Sequence, residues 1–231
     1  MSTELSTETH GHEVSILAHH FDDLEQQRES HTLGMWAFLA TEIMFFGGVL
    51  TAYAVYRSTY PAAFAAASNL EDLWVGAINT CILLVSSFTV VLAVHAAQNG
   101  DSKGIIRNLW LTILFGAAFL CVKAYEYSHL IHEGLVPGAG FDPHGHIEPS
   151  LRQPASIFFA LYFAMTGIHA LHMIIGIGIM LWVIYLAKRG RFTREYYNPV
   201  EISGLYWHFV DIVWIFLYPL LYLIAPGNSG N

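Results

Sequence analysis

Apolar residues run along this chain in five stretches, each long enough to cross about 30 Å of hydrocarbon at 1.5 Å per helical residue. They lie near Leu33 to Tyr56, Trp74 to Ala97, Leu109 to Tyr127, Ile157 to Leu186 and Ile202 to Ile224. Turn-forming residues fall between them: Pro61, Asn99-Gly100, the run from Gly134 to Pro154, and Gly190 through Pro199. The expected fold class is all-α, a polytopic bundle of five transmembrane helices. Composition agrees, with 55% hydrophobic residues, 12% charged residues and a mean hydropathy of +0.46.

Three segments follow from this pattern: a polar acidic tail over 1–30, the bundle over 31–226, and a short tail over 227–231. The first thirty residues carry seven carboxylates (Glu4, Glu8, Glu13, Asp22, Asp23, Glu25, Glu29) against a single Arg28, so they lack the basic start of a signal peptide. A short helix is expected from Ile16 to Arg28. Lys and Arg set the orientation. With the amino terminus in the cytoplasm, that side receives Arg28, Lys103, Arg107, Lys188, Arg189, Arg191 and Arg194. The opposite side receives only Arg57 and Arg152, and Lys123 lies inside the third span. The carboxyl terminus is then outside. The net charge of −8 sits largely in the tail and says little about partners.

Ionisable groups within such spans are costly, and they mark interhelical pairs or proton and ligand paths. The last span carries Glu201, Gly204, His208 and Asp211 at steps of three, four and three, which places them on one stripe. Trp207 and Trp214 fall on a neighbouring stripe. Lipid tails offer no hydrogen bonds, so the polar stripe should be covered by another helix. Whether it locks two helices or serves chemistry stays open. Glu42, near the middle of the first span, could relay protons or react with a hydrophobic carbodiimide; alternatively it bonds a neighbouring helix. His169 and His172 stand on adjoining positions of the fourth span and could ligate metal or haem, or serve structure. Lys123 and Glu126, one turn apart, read as a local ion pair. Asn79, Thr80, Ser86, Ser87 and Thr89 read as helix-packing contacts. Cys81 and Cys121 are expected to be inert core residues. His-Gly-His occurs at His10–His12 and His144–His146, where adventitious metal binding is conceivable. There is no phosphate loop, Ser-His-Asp signature or metal-finger cysteine spacing, and nothing supports binding of nucleic acid.

Four runs together resemble a known family, in its order along the chain. Thr41-Glu42-Ile43-Met44-Phe45-Phe46-Gly47-Gly48, Lys123-Ala124-Tyr125-Glu126-Tyr127, Thr166-Gly167-Ile168-His169-Ala170-Leu171-His172-Met173-Ile174-Ile175-Gly176 and Tyr206-Trp207-His208-Phe209-Val210-Asp211-Ile212-Val213-Trp214 are similar to the signature stretches of haem-copper oxidase subunit III. The resemblance implies a non-redox subunit of a proton-pumping terminal oxidase, a cytochrome c oxidase, in which haem and copper reside in partner subunits and this chain holds no metal and no catalytic residue. It implies contact mainly with subunit I, with subunit II and a small subunit IV in the same complex, and bound phospholipid. It also implies support of proton uptake into subunit I and protection from inactivation during turnover. The location that the resemblance implies is the bacterial plasma (inner) membrane. The carbodiimide-reactive carboxyl of the family falls on Glu42. Glu126, His169, His172, Glu201, His208 and Asp211 fall in its polar motifs.

Five spans match the short bacterial form of the family. The long form has two further helices that shape a lipid-filled cleft, and an extended subunit I is expected to supply their equivalent here. Glu42 stands where quinol-oxidase relatives commonly have aspartate, which implies cytochrome c rather than quinol as donor. Two alternatives remain: a membrane electron carrier holding b-type haem between His169 or His172 and His208, and an accessory chain of a quinol oxidase or nitric oxide reductase.

Overall fold

The computed structural model describes residues 24–138, 141, 143 and 147–223. Five long helices are present: α1 (Leu24–Thr59), α3 (Leu73–Gln98), α4 (Ser102–His132), α5 (Arg152–Lys188) and α6 (Asn198–Tyr222). The short helix α2 (Pro61–Ser68) follows α1, and a single 3₁₀ turn (Pro149–Leu151) leads into α5. All five long helices are apolar and long enough to span a membrane. The described residues contain no strand.

Each span outlined by hydropathy lies within or nearly within one helix, but the helices run further. Hydropathy measures the lipid-crossing part alone, whereas a helical backbone continues until something caps it. α1 begins at Leu24, and α4 runs on to His132. Most of the helix expected at Ile16–Arg28 lies outside the described residues; its last five residues belong to α1. The His-Gly-His histidines and the carboxyl-terminal tail are also outside them.

The turn between α3 and α4 shows the caps at work. Gly100 adopts φ +71°, the left-handed conformation that favours glycine. The amides of Gly100 and Asp101 then bond back to the carbonyls of Ala97 and Ala96 at 2.9 Å each. The Asp101 carboxylate accepts from the Lys103 amide at 3.1 Å to start α4. Asp72 starts α3 in the same way, accepting from the amides of Trp74 and Val75.

α6 is the most buried of the five helices and α1 the least. The close approach of α6 depends on small residues. The Trp207 indole lies against Gly116 of α4 and Gly176 of α5, where an added Cβ would stand 2.8 and 2.9 Å from its ring. Its Nε1 donates to Ser86 Oγ at 3.1 Å, and Ser86 Oγ donates to the Thr112 carbonyl of α4 at 3.2 Å. Thr89 and Thr112 join hydroxyls at 2.8 Å, and Trp214 Nε1 donates to Thr80 Oγ1 at 3.1 Å. The hydroxylated face of α3 is thus the packing seam. Cys81 and Cys121 correct the sequence reading: both thiols are exposed on the outer faces of their helices rather than in the core. Small side chains inside an apolar run do not reveal which face is buried, and here the seam is taken by Ser, Thr and Gly.

α2 was missed because Pro61 reads as a breaker, yet proline suits the first turn of a helix, where its absent N–H is not needed. Its placement serves the end of α6. The last carbonyls of that helix have no partner of their own in its backbone. Tyr53 of α1 donates its hydroxyl to the Leu220 carbonyl, and Ser68 of α2 donates to the Leu221 carbonyl at 2.8 Å. Ser68→Ala is expected to cost about 1–3 kcal/mol, because a buried acceptor loses its donor. Thermal unfolding in detergent measures the loss; an unchanged midpoint would mean that water reaches this carbonyl.

Candidate functional site

Glu42 lies at the middle of α1, facing His172 of α5 across the seam, with Oε2 at 3.1 Å from Nε2. His172 Nδ1 is 2.9 Å from the Ile168 carbonyl, which can only accept, so Nδ1 carries a hydrogen. The contact between Nε2 and the carboxyl then needs one more proton. That proton rests on the carboxyl, giving acid and neutral imidazole, or on the ring, giving carboxylate and imidazolium; either way the pair is neutral overall. The Phe46 ring centroid is 5.4 Å from that of His172, which shields the pair on one side.

His169 does not join this pair. Its ring is fully buried between Phe119 of α4 and Trp214 of α6, at centroid distances of 5.4 and 5.1 Å. Neither ring nitrogen has a hydrogen-bond partner among the described residues. The expectation that the two histidines share a face is therefore corrected: one reaches α1, and the other points into the aromatic core. On a helix, a step of three turns the second side chain by about 60°, enough to give it a different neighbour.

The polar stripe of α6 is covered largely by α3. A Cβ on Gly204 would meet Val94 at 3.1 Å, and His208 Nδ1 lies 2.6 Å from Ser87 Oγ. His208 does not pair with Asp211 one turn on. Asp211 is buried at 3% exposure, and its carboxyl oxygens have no hydrogen-bond partner among the described residues. Glu201, in the first turn of α6, sits apart from them at the other end of the stripe, half-buried beside Gln27 and Arg28 of α1. One face of His208 also borders an apolar groove of about 540 Å³ between α1 and α6, lined by Trp36, Ile43, Phe46, Leu50 and Phe216.

A second polar cluster lies where α1 and α6 end. Lys123 Nζ is 3.1 Å from Glu126 Oε2, and it donates to the hydroxyls of Tyr162 at 2.8 Å and Tyr222 at 3.0 Å. Both tyrosines donate onward to Glu126 Oε1. The rings of Tyr127, Tyr162, Trp214 and Tyr222 surround the ammonium, with centroids 4.8–5.7 Å away. Lys123 and Glu126 are buried at 4% and 8% exposure. The local ion pair read from the sequence is present, set within a network of three helices. The sequence reading missed Glu71, which faces the same cluster from the turn between α2 and α3. The available signal was a carboxylate lodged between an apolar Leu70 and the cap Asp72, in so short a connection that it must lie against neighbouring helix ends.

Five membrane-length helices, tied together by buried polar pairs across their seams, define a multi-pass membrane protein of the helix-bundle class. The family described as cytochrome c oxidase subunit III matches residues 11–133 and 140–225. This chain belongs to that family, the third subunits of haem-copper terminal oxidases. It is 33% identical to cytochrome c oxidase subunit 3 of Thermostichus vulcanus over 88% of this chain and 92% of that one. It is 31% identical to quinol oxidase subunit 3 of Bacillus subtilis (strain 168) over 89% and 94%. It is 30% identical to cytochrome bo(3) ubiquinol oxidase subunit 3 of Pseudomonas putida over 84% and 85%.

Proposed function

We propose that this chain is the non-redox third subunit of a proton-pumping cytochrome c oxidase in a bacterial inner membrane. Its amino terminus is cytoplasmic, and it packs mainly against subunit I, with subunit II and a small subunit IV in the same complex. Membership of the subunit III family across nearly the whole chain carries this reading. Cofactor chemistry, reduction of oxygen at haem and copper, belongs to the partner subunits. The contribution of this chain is to hold subunit I in place, bind phospholipid and sustain proton uptake.

The geometry suits such a role. Glu42 and His172 share one proton across the α1–α5 seam, an arrangement in which the proton can move from one side chain to the other while the pair stays neutral overall in a medium where net charge is costly. The groove between α1 and α6 is almost wholly apolar and has room for acyl chains, which supports phospholipid as the resident ligand. The imidazoles fit poorly as haem ligands. His172 has both nitrogens engaged, and the ring of His169 is enclosed by Phe119 and Trp214, which leaves the pair of α5 and α6 imidazoles that a haem would need incomplete.

Purification in mild detergent through this chain tests the partners. Oxidase subunits and phospholipid should come with it, and the complex should oxidise reduced cytochrome c faster than quinol. A faster reaction with quinol would reassign the donor, consistent with the names of the Bacillus and Pseudomonas relatives. Removing this chain should shorten the turnover lifetime of the oxidase and slow its proton uptake. If neither changes, the supporting role fails.

A further inference from the structure

The cluster at the α2 end of the bundle holds one acid too many. Lys123 neutralises Glu126 at 3.1 Å, and both tyrosines direct their hydroxyl hydrogens to the same carboxylate. Glu71 is buried at 7% exposure, and neither of its oxygens has a hydrogen-bond partner among the described residues. The polar groups that it faces are Glu126, Lys123 and Tyr162, whose hydrogens are already committed within the network. A carboxylate in that position would put a second negative charge beside Glu126 in a buried site whose nearest hydroxyl, that of Tyr162, already gives its hydrogen to Glu126. A carboxylic acid would bring the missing hydrogen with it and give that hydrogen to Glu126.

The site is not sealed. Glu71, Asp72, Tyr125, Glu126 and His129 line a cleft of about 140 Å³, room for several waters beside the two acids. We propose that Glu71 and Glu126 form a dicarboxyl site that binds one proton and exchanges it with water through the cleft at the α2 end of the bundle. The ligand is a proton rather than a metal cation, because the Lys123 ammonium already pairs with the Glu126 carboxylate at 3.1 Å and would repel a second cation beside it. The remaining groups around it are accounted for. Lys123 on α4 supplies one positive charge, Glu126 one negative charge, Tyr162 on α5 and Tyr222 on α6 supply neutral donors, and Asp72 and His129 stand at the cleft. Burial, followed by the Glu126 carboxylate, holds the Glu71 carboxyl well above the ordinary carboxylate range, while Lys123 pulls the other way.

The sign of the pH effect follows. Below the ordinary carboxylate range Glu71 is protonated in folded and unfolded chains alike, so it contributes no pH dependence. As pH rises through that range, the unfolded chain releases the proton and the folded one keeps it. Stability therefore falls with rising pH until the folded site also ionises.

The test compares the intact oxidase complex with its Glu71→Gln variant by infrared difference spectroscopy. The amide mimics the neutral acid, so the variant should assemble in wild-type yield. The wild-type-minus-variant spectrum at neutral pH should show a protonated-carboxyl C=O band that shifts in D₂O and disappears at alkaline pH. The decline in thermal stability as pH rises above the ordinary carboxylate range should be shallower in the variant. In Glu126→Gln, Glu71 becomes the only counter-ion of Lys123, and the band should be lost at neutral pH. Carboxylate bands in place of the C=O band, persistence of the band in Glu126→Gln, or failure of Glu71→Gln to assemble would each overturn the proposal.

Discussion

Lys123→Met is expected to be the most damaging single substitution in this chain. It removes a buried ammonium whose three bonds go to Glu126, Tyr162 and Tyr222, on three different helices. Methionine fills much of the volume but leaves the Glu126 carboxylate buried without its counter-charge. Breaking one side of a buried pair costs about 3–5 kcal/mol, a large share of what holds a folded chain together. The expected results are a lower unfolding temperature and loss of this chain from the purified oxidase. The double variant Lys123→Met/Glu126→Gln should recover much of the loss, because no unpaired charge remains. Lys123→Arg should not be a gentle alternative, since a planar guanidinium does not fit a cage built around a point charge by four aromatic rings. Retention of Lys123→Met in the complex with an unchanged unfolding temperature would show that Glu126 is neutral there.

The second large effect is steric. Gly116→Val and Gly176→Val each place atoms where the Trp207 ring already lies, since even a single Cβ would stand 2.8 and 2.9 Å away. Trp207 has little room to yield, because it is fully buried and its Nε1 is tied to Ser86. Overpacking of this kind costs about 1–3 kcal/mol or more, and here it also forces α4 and α5 away from α6. Gly47, Gly48 and Gly178 provide the contrast, as an added Cβ at any of them meets nothing within 4 Å. Alanine at those three should stay within about 0.5 kcal/mol of wild type. Trp207→Leu should partly rescue Gly176→Val by making room. Equal tolerance at all five glycines, measured by thermal unfolding, would rule out close approach at Trp207 as the basis of the packing.

Glu42 and His172 show how far the residues alone carry the site. An acid at the centre of an apolar span is conspicuous in any sequence, and so is an imidazole in another. Their pairing at 3.1 Å is not, because 130 positions separate them and nothing local to either names the other. The stripe of α6 was legible as a stripe, and the need to cover it followed from the chemistry of lipid tails. That α3 does the covering, with Ser87 rather than Asp211 as the partner of His208, depends on how the two helices are rotated against each other. Cys81 and Cys121 were placed on the wrong face for the same reason: within a membrane span, the lipid side and the core side are both apolar, so hydropathy does not separate them.

Sequence by itself determined the number of spans, their order and the ionisable groups within them that needed partners, because hydrocarbon penalises exposed backbone and unpaired charge wherever they occur. The four motif runs also determined the family. Tertiary structure alone decided which groups meet: Glu42 with His172, His208 with Ser87, Lys123 with two tyrosines, and Glu71 with Glu126 along the wall of one cleft. Those contacts depend on helix rotation and on the close approach that Gly116 and Gly176 permit, quantities set by packing between distant segments and not by any residue's own neighbours in the chain.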